Sequence, residues 1–377
     1  MQIRKLALLL STLCAAGAAL ADITVGVTIA TTGPAASLGI PEKNTFALLP
    51  QTIAGEKVKW VVLDDGADSS NAVKNARKMI SEDKIDVLIG ASTVPTSLAL
   101  VEVANETKTP QLALAPVTPA PDKRAWVFIP PQSNAVMASA ILEHMHANGV
   151  KTMGFIGYND PFGEGYFREV APLAEKAGIR IVASERYNRT DTSVTAQVLK
   201  LVSANPDAIL IVGSGTPAAL PQTTLFDRGY KGRVYQSHGA ANRDFLRVGG
   251  KAVEGAILPV GPMLVYEQLA DNHPLKKLAG DYIRAYEAAH GPDSRSTFGG
   301  HAYDAFLMIS HAVPEALKKA RPGTAEFRAA LRDALEGIKE MPATHGVFTM
   351  SPTDHNGLDN RARVLVRVEG GNWKLIK

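Results

Sequence analysis

The chain is almost without cysteine: of 377 residues only Cys14 is one, and it lies in a segment with the marks of an export signal. Arg4 and Lys5 open that segment, Leu6 to Leu13 form its apolar run, and Ala19-Leu20-Ala21 supplies the small-x-small pattern that signal peptidase cuts. Residues 1–21 are therefore expected to be a signal peptide, cleaved before Asp22, and the cysteine leaves with it. Leu13 stands where lipoprotein processing wants a small residue, which argues against a lipid anchor on Cys14. The mature chain then has no disulfide and rests on its core alone, which about 350 residues are enough to build. Long apolar runs are lacking too. The signal's own stretch falls short of the roughly 20 residues a spanning helix needs, and no later segment reaches that length. Any membrane role has to run through a partner. Nor is there an excess of one charge: losing the signal removes two basic residues and no acidic one, leaving 38 Lys and Arg against 37 Asp and Glu. That balance argues against nucleic acid or an anionic membrane surface as the main partner.

Signatures of catalysis are scarce as well. There is no G-x-S-x-G elbow, no H-E-x-x-H pair and no G-K-[ST] phosphate loop. The mature chain has no cysteine nucleophile, and nothing points to a scattered Ser-His-Asp set. Glu143-His144-Met145-His146 has the wrong spacing for a metal, since residues two apart on a helix face different ways. Asp64-Asp65-Gly66-Ala67-Asp68 lacks the spacing and closing Glu of a calcium loop and reads as a turn entering a helix cap. Gly213-Ser214-Gly215-Thr216-Pro217-Ala218 does fit G-x-G-x-x-A after a strand and before a helix. A dinucleotide site also needs an acid about 20 positions on to hold the ribose, but the chain there reads Arg233-Val234-Tyr235-Gln236-Ser237. Pro217 also removes an N–H from the first helical turn. The motif is read as a tight turn whose backbone N–H groups can meet a small anion. No metal, cofactor or enzymatic activity is expected.

What is present is a regular alternation. Ile23–Ile29 and Val58–Leu63 read as strands, and apolar Ala72, Val73, Ala76, Met79 and Ile80 give Ser69–Ser81 the spacing of an amphipathic helix, capped by Asp68 or Ser69. A strand at Val87–Ile89, a helix around Leu98–Thr107 and a strand at Leu112–Ala115 follow. The pattern then restarts: strands at Met153–Ile156, Ile179–Ala183, Ala208–Val212 and Val234–Gln236 alternate with helices near Gly165–Lys176, Ser193–Ser203 and Ala218–Arg228. Three helical segments and three short β-like runs close the chain. Runs of βαβ units imply an α/β fold with parallel sheets and helices on both faces. Ile129-Pro130-Pro131-Gln132 and Leu258–Met263 are the crossing points between two such lobes. In open α/β sheets ligands sit beyond the carboxyl ends of the strands, so both lobes would aim loops into a shared cleft.

Several strings occur in a telling order. They are Val27 through Thr32-Gly33-Pro34, Leu63-Asp64-Asp65, Ile89-Gly90 followed by hydroxyl residues, and Ala104-Asn105-Glu106-Thr107-Lys108-Thr109-Pro110. Phe155-Ile156-Gly157-Tyr158-Asn159-Asp160-Pro161-Phe162-Gly163-Glu164-Gly165, Leu225-Phe226-Asp227-Arg228-Gly229-Tyr230-Lys231-Gly232 and Glu254-Gly255 complete the series. In these strings nearly the whole mature chain resembles the leucine/isoleucine/valine-binding branch of the type I periplasmic binding proteins. The resemblance implies two Rossmann-like lobes joined by three crossovers: residues 22–132 plus 262–355, and residues 133–261 plus 356–377. It implies a monomer in the periplasm that hands a small ligand to an inner-membrane ABC permease and its ATPase subunits.

Ser92-Thr93-Val94-Pro95-Thr96-Ser97 follows a strand and leads into a helix, and hydroxyls beside a helix N-terminus make a carboxylate receptor. Ser92, Thr93, Thr96 and Ser97 are therefore candidate ligand residues; ordinary capping would explain one of them. By resemblance Thr118, after Ala115-Pro116-Val117, is the second half of the carboxylate grip, and Phe162 stacks on ligand from the second lobe, with Phe298 a further aromatic wall. The departure from the family is His238, where the amino-acid-binding relatives place a Glu that grips the α-ammonium. Gly215 or Thr216 stands where those relatives have a Tyr, which widens the site. An acid without the α-amino group, aromatic or branched, is the expected ligand. Branched-chain amino acids are the alternative, with Asp160 or Asp304 as replacement carboxylate. A periplasmic sensor serving a separate receptor is the alternative from another class.

Overall fold

The computed structural model describes residues 22–376, so the expected signal peptide and its cleavage site lie outside the described residues. The first sheet contains β1 (Ile23–Ile29), β2 (Thr52–Ile53), β3 (Glu56–Asp64), β4 (Val87–Gly90), β5 (Gln111–Leu112) and β6 (Val127–Phe128), ordered β2-β3-β1-β4-β5-β6. Only β2 runs antiparallel to its neighbour. Strand β1 is buried along all of its length, as a parallel strand covered on both faces must be. Helices α1 (Ala36–Leu48), α2 (Ser69–Ser81) and α3 (Val94–Thr107) connect these strands. Helix α2 starts where Asp68 accepts the Asn71 N–H at 2.8 Å, one of the two caps expected for it.

After helix α4 (Asn134–Ala147) the second sheet begins with β7 (Thr152–Tyr158), β8 (Arg180–Tyr187), β9 (Ala208–Val212), β10 (Arg233–Gln236) and β11 (Ile257–Val260), all parallel. Helices α5 (Pro161–Lys176), α6 (Thr195–Ser203), α7 (Ala219–Asp227) and α8 (Arg243–Gly249) lie between them. The chain then returns to the first lobe with α9 (Lys276–His290), α10 (Thr297–Leu317), α11 (Ala325–Glu336) and the small pair β12 (Met341–Pro342) and β13 (Val347–Phe348). Residues of α10 and α11 share a core with β1 and β4. It ends on β14 (Val364–Glu369) and β15 (Asn372–Leu375), which extend the second sheet antiparallel to β11, giving the order β15-β14-β11-β10-β9-β7-β8. Among the described residues no helix is long and apolar enough to cross a membrane.

Two features were not expected from the sequence. Helix α1 has Pro41 inside it, which breaks the helical pattern on paper because it lacks an N–H. Strand β8 runs four residues further than its apolar run, through Ser184, Glu185 and Arg186 to Tyr187, because it is the edge of its sheet and is only partly buried. That extension brings the residues just after Tyr187 to the carboxyl end of the sheet.

Candidate functional site

One cavity collects residues from both lobes, nearly all of them just beyond the carboxyl end of a parallel strand. Ser92, Thr93 and Val94 follow β4, and Leu114, Ala115 and Pro116 follow β5. From the second lobe Phe162 follows β7, Arg189 follows β8, Ser214 follows β9, and His238 and Gly239 follow β10. Leu38 from α1, with Phe298 and His301 from the start of α10, complete it. The space is a narrow slot of about 30 Å³.

The first-lobe hydroxyls divide by where their hydrogens go. Thr93 caps α3 in a reciprocal arrangement with Thr96, their Oγ1 atoms 2.7 Å apart, and Thr96 Oγ1 donates to the Thr93 carbonyl at 3.0 Å. Ser97 Oγ donates to the Ala91 carbonyl at 2.7 Å and accepts its N–H at 2.8 Å. Thr96 and Ser97 thus stand behind the cavity wall, building the turn that Ser92 and Thr93 present. Ser92 Oγ accepts the Ala30 N–H at 3.0 Å and is bonded to the Glu42 carboxyl. Thr118 is placed elsewhere. Its side chain is exposed in a separate surface depression with Pro119 and Arg124, one residue beyond Val117, which is buried in the core.

Gly215 and Thr216 lie on the seam between the lobes and not in the cavity wall. The Thr216 N–H donates across the seam to Ser37 Oγ at 3.2 Å, and the Gly215 N–H to the Gly239 carbonyl at 2.9 Å. Those N–H groups are thus occupied by the protein and do not meet an anion. Asn242 pairs with Ser296, and Arg243 approaches Asp293 at 3.8 Å. The cleft is closed.

His238 is 5% exposed. Its ring lies against Tyr166, nearly parallel at 6.0 Å between centroids, and meets Phe162 edge-on. Its Nδ1 is buried without a hydrogen-bond partner. Burial, helped by nearby His345, pushes its pKa down to about 4, so the ring is neutral at physiological pH. His301, also held neutral by burial, contacts Gln132 Oε1 at 3.3 Å through Nε2, and its ring lies tilted beside His345 at 4.3 Å between centroids.

Neither proposed substitute carboxylate is free. Asp304 accepts the Thr344 N–H and hydroxyl, both at 2.7 Å, and the His345 N–H and Nδ1 at 3.1 and 3.0 Å. Asp160 caps α5, accepting the Phe162 and Gly163 N–H groups at 2.8 and 3.1 Å, and pairs with Arg189 Nε at 2.8 Å. Arg189 is the charged cavity residue that sequence reasoning missed. Its guanidinium lies 4.1 Å from the centre of the Tyr158 ring, and its Nη1 donates to Ser214 Oγ at 2.8 Å. Two bonds and a stack fix the cation at the cavity wall. Among the described residues the cavity is lined by one Arg and by no Asp or Glu.

Residues 22–372 match the family described as periplasmic binding protein. The chain belongs to that family. Its members are substrate-binding proteins without enzymatic activity, exported to the periplasm. The chain is 47% identical to an extracellular ligand-binding receptor from Rhodopseudomonas palustris HaA2, with a TM-score of 0.93 over 95% of this chain and 100% of that one. It is 27% identical to the Leu/Ile/Val-binding protein homolog 3 of Brucella melitensis, covering 90% of this chain and 89% of that protein. A leucine-binding protein LivK from Thermotoga maritima, 20% identical and covering 94% and 98%, shares the fold with a TM-score of 0.80. The periplasmic binding protein reading from the sequence strings is thus established, and with it the α/β fold of two parallel-sheet lobes.

Proposed function

We propose that this periplasmic binding protein captures a small carboxylate-bearing ligand, an aromatic or branched organic acid, and delivers it to an ABC permease of the branched-chain amino-acid type. The observation that carries the ligand class is the charge of the cavity wall: one fixed cation, Arg189, and no anion. An α-ammonium group enclosed here would have no counter-charge, and burying an unpaired charge is strongly unfavourable. A carboxylate has Arg189 from one lobe and the start of α3 from the other. Phe162, Phe298, His238 and His301 give the slot flat, mostly apolar walls. The lobes part and close about the crossings near residues 132, 261 and 355, as hinged binding proteins do.

The test is a thermal-shift and calorimetric panel of the mature protein against aromatic acids, branched aliphatic acids, their amides and amino acids. An acid at a hundred times its Kd should stabilise the folded protein by about 2.7 kcal/mol, while the matching amide does little. Leucine binding tightly while the ammonium-free acids stay silent would restore the amino-acid reading. No stabilisation by any solute would remove ligand capture.

Closure predicts a further result. Gly215 has φ 64 and ψ −156, a region essentially reserved for glycine. A Cβ there would lie 2.4 Å from Ser37 Oγ and 2.7 Å from Leu38 Cδ1 on the opposite lobe. Gly215→Ala should lower ligand affinity about tenfold or more by holding the lobes apart, since only the competent fraction binds. Calorimetry with small-angle scattering checks it. An unchanged affinity with an unchanged radius of gyration would exclude the seam from closure.

A further inference from the structure

Glu42 lies on α1, one turn beyond the cavity residue Leu38, and is fully buried. One carboxyl oxygen, Oε2, bonds Ser92 Oγ, and the other, Oε1, is buried with no partner at all. The charged group that acts on it is Asp65, another carboxyl, which accepts Thr28 Oγ1–H at 3.0 Å and the Ala67 N–H at 2.9 Å. An ionised Glu42 would therefore be a buried anion beside a second acid, with no cation and an unsatisfied oxygen.

The hydrogen count at Ser92 gives this a consequence. Of the four hydroxyls at the start of α3, Ser97 gives its hydrogen to the Ala91 carbonyl, and Thr93 and Thr96 bond each other within the cap, with the Thr93 carbonyl as a further acceptor. Ser92 alone among them is bonded to a carboxyl, whose protonation decides where its hydrogen goes. Were Glu42 ionised, that hydrogen would be drawn to Oε2, and a ligand carboxylate would meet only a lone pair with a negative charge beneath it. A protonated Glu42 reverses the bond. Ser92 Oγ then accepts both the Ala30 N–H and the Glu42 O–H, and its own hydrogen is left for the cavity.

We propose that Glu42 is a positioning residue, kept as a neutral acid that donates to Ser92 Oγ and so turns the Ser92 hydroxyl into a donor for the ligand's carboxylate. This rests on the carboxylate reading of the cleft given above. Burial also holds the Glu42 pKa well above the usual carboxylate range, the Ser92 bond opposing and Asp65 assisting. Since only the protonated form offers the donor, ligand affinity falls as pH rises through the Glu42 pKa, by up to about tenfold per pH unit.

Two measurements test it. Infrared difference spectra of Glu42→Gln against the parent protein, without ligand at neutral pH, should show a protonated carboxylic-acid band that the variant lacks. Calorimetry with benzoate and isovalerate should show affinity falling with pH in the parent protein and a flatter profile in Glu42→Gln, whose amide N–H still donates to Ser92. Asp65, whose pKa burial raises to about 6, titrates in both proteins, so the difference between profiles isolates Glu42. Identical profiles, or no acid band in protein that binds benzoate, overturn the proposal alone. Failure of every acid in the panel to bind overturns the ligand reading, and the donor role with it.

Discussion

His238→Glu is expected to invert the ligand preference of the cleft, costing ammonium-free acids a hundredfold or more in affinity while creating measurable binding of leucine or valine. His238 sits between Tyr166 and Phe162, almost without solvent. The same burial that pushes its own pKa down to about 4 would act on a carboxylate in its place. That anion would share the closed slot with the ligand's carboxylate, and an uncompensated buried charge costs about 3 kcal/mol or more, which is the hundredfold. An amino acid brings the missing cation with it, so its ammonium offsets the penalty that the simple acid cannot. His238→Gln is the control, because it is neutral and can still donate and accept; it should change affinity for the acids less than about tenfold. Calorimetry of both variants at pH 7, well above the titration of His238, separates charge from shape. If His238→Glu leaves the preference unchanged, His238 is not a ligand contact.

The lobes were legible because parallel strands buried on both faces are written in apolar and small residues with no charge among them: Ile23–Ile29 and Ala208–Val212 coincide with β1 and β9. The site was legible where it sits directly after such a run, and where the family resemblance marked it. Ser92 and Thr93 follow β4, where the rule that ligands lie beyond strand ends pointed, while Phe162, His238 and Phe298 were marked by the family resemblance; all five line the cavity. Arg189 failed that rule for a physical reason. It follows β8, an edge strand whose outer half is polar, so the expected strand stopped at Ala183 and left Arg189 in an apparent loop. Glu42 was hidden differently. A charged residue in a helix interrupted by Pro41 reads as surface, and only the packing of α1 beneath Ser92 buries it. Thr118 shows the opposite failure: the resemblance made it a second donor to the carboxylate, but its side chain is exposed in a separate depression, one residue beyond buried Val117. Thr96 and Ser97 were grouped with Ser92 by spacing, whereas the direction of each hydrogen assigns them to the turn.

Arg189→Met should abolish detectable capture of the acid and destabilise the folded protein, and the two losses have separable origins. Arg189 holds Asp160 through Nε and Ser214 through Nη1, with side-chain exposures of 14% for Arg189 and 17% for Asp160. Removing one partner of a fully buried pair costs about 3–5 kcal/mol. Partial solvation and the two N–H groups that Asp160 keeps at the start of α5 reduce this to about 2 kcal/mol. Asp160→Asn still caps the helix, since Asn is as good a cap as Asp, and it removes the orphaned charge. Combined with Arg189→Met it should recover most of the stability in urea denaturation while recovering none of the affinity, because the second lobe of the double variant offers the ligand's carboxylate no cation. Arg189→Lys makes the complementary point. It keeps the positive charge but cannot span Asp160, Ser214 and the Tyr158 face at once, so affinity should fall about tenfold or more with the preference for acids over amides intact. A double variant that binds acids as well as the parent would confine Arg189 to holding Asp160, and the ligand's carboxylate would then be met by the first lobe alone.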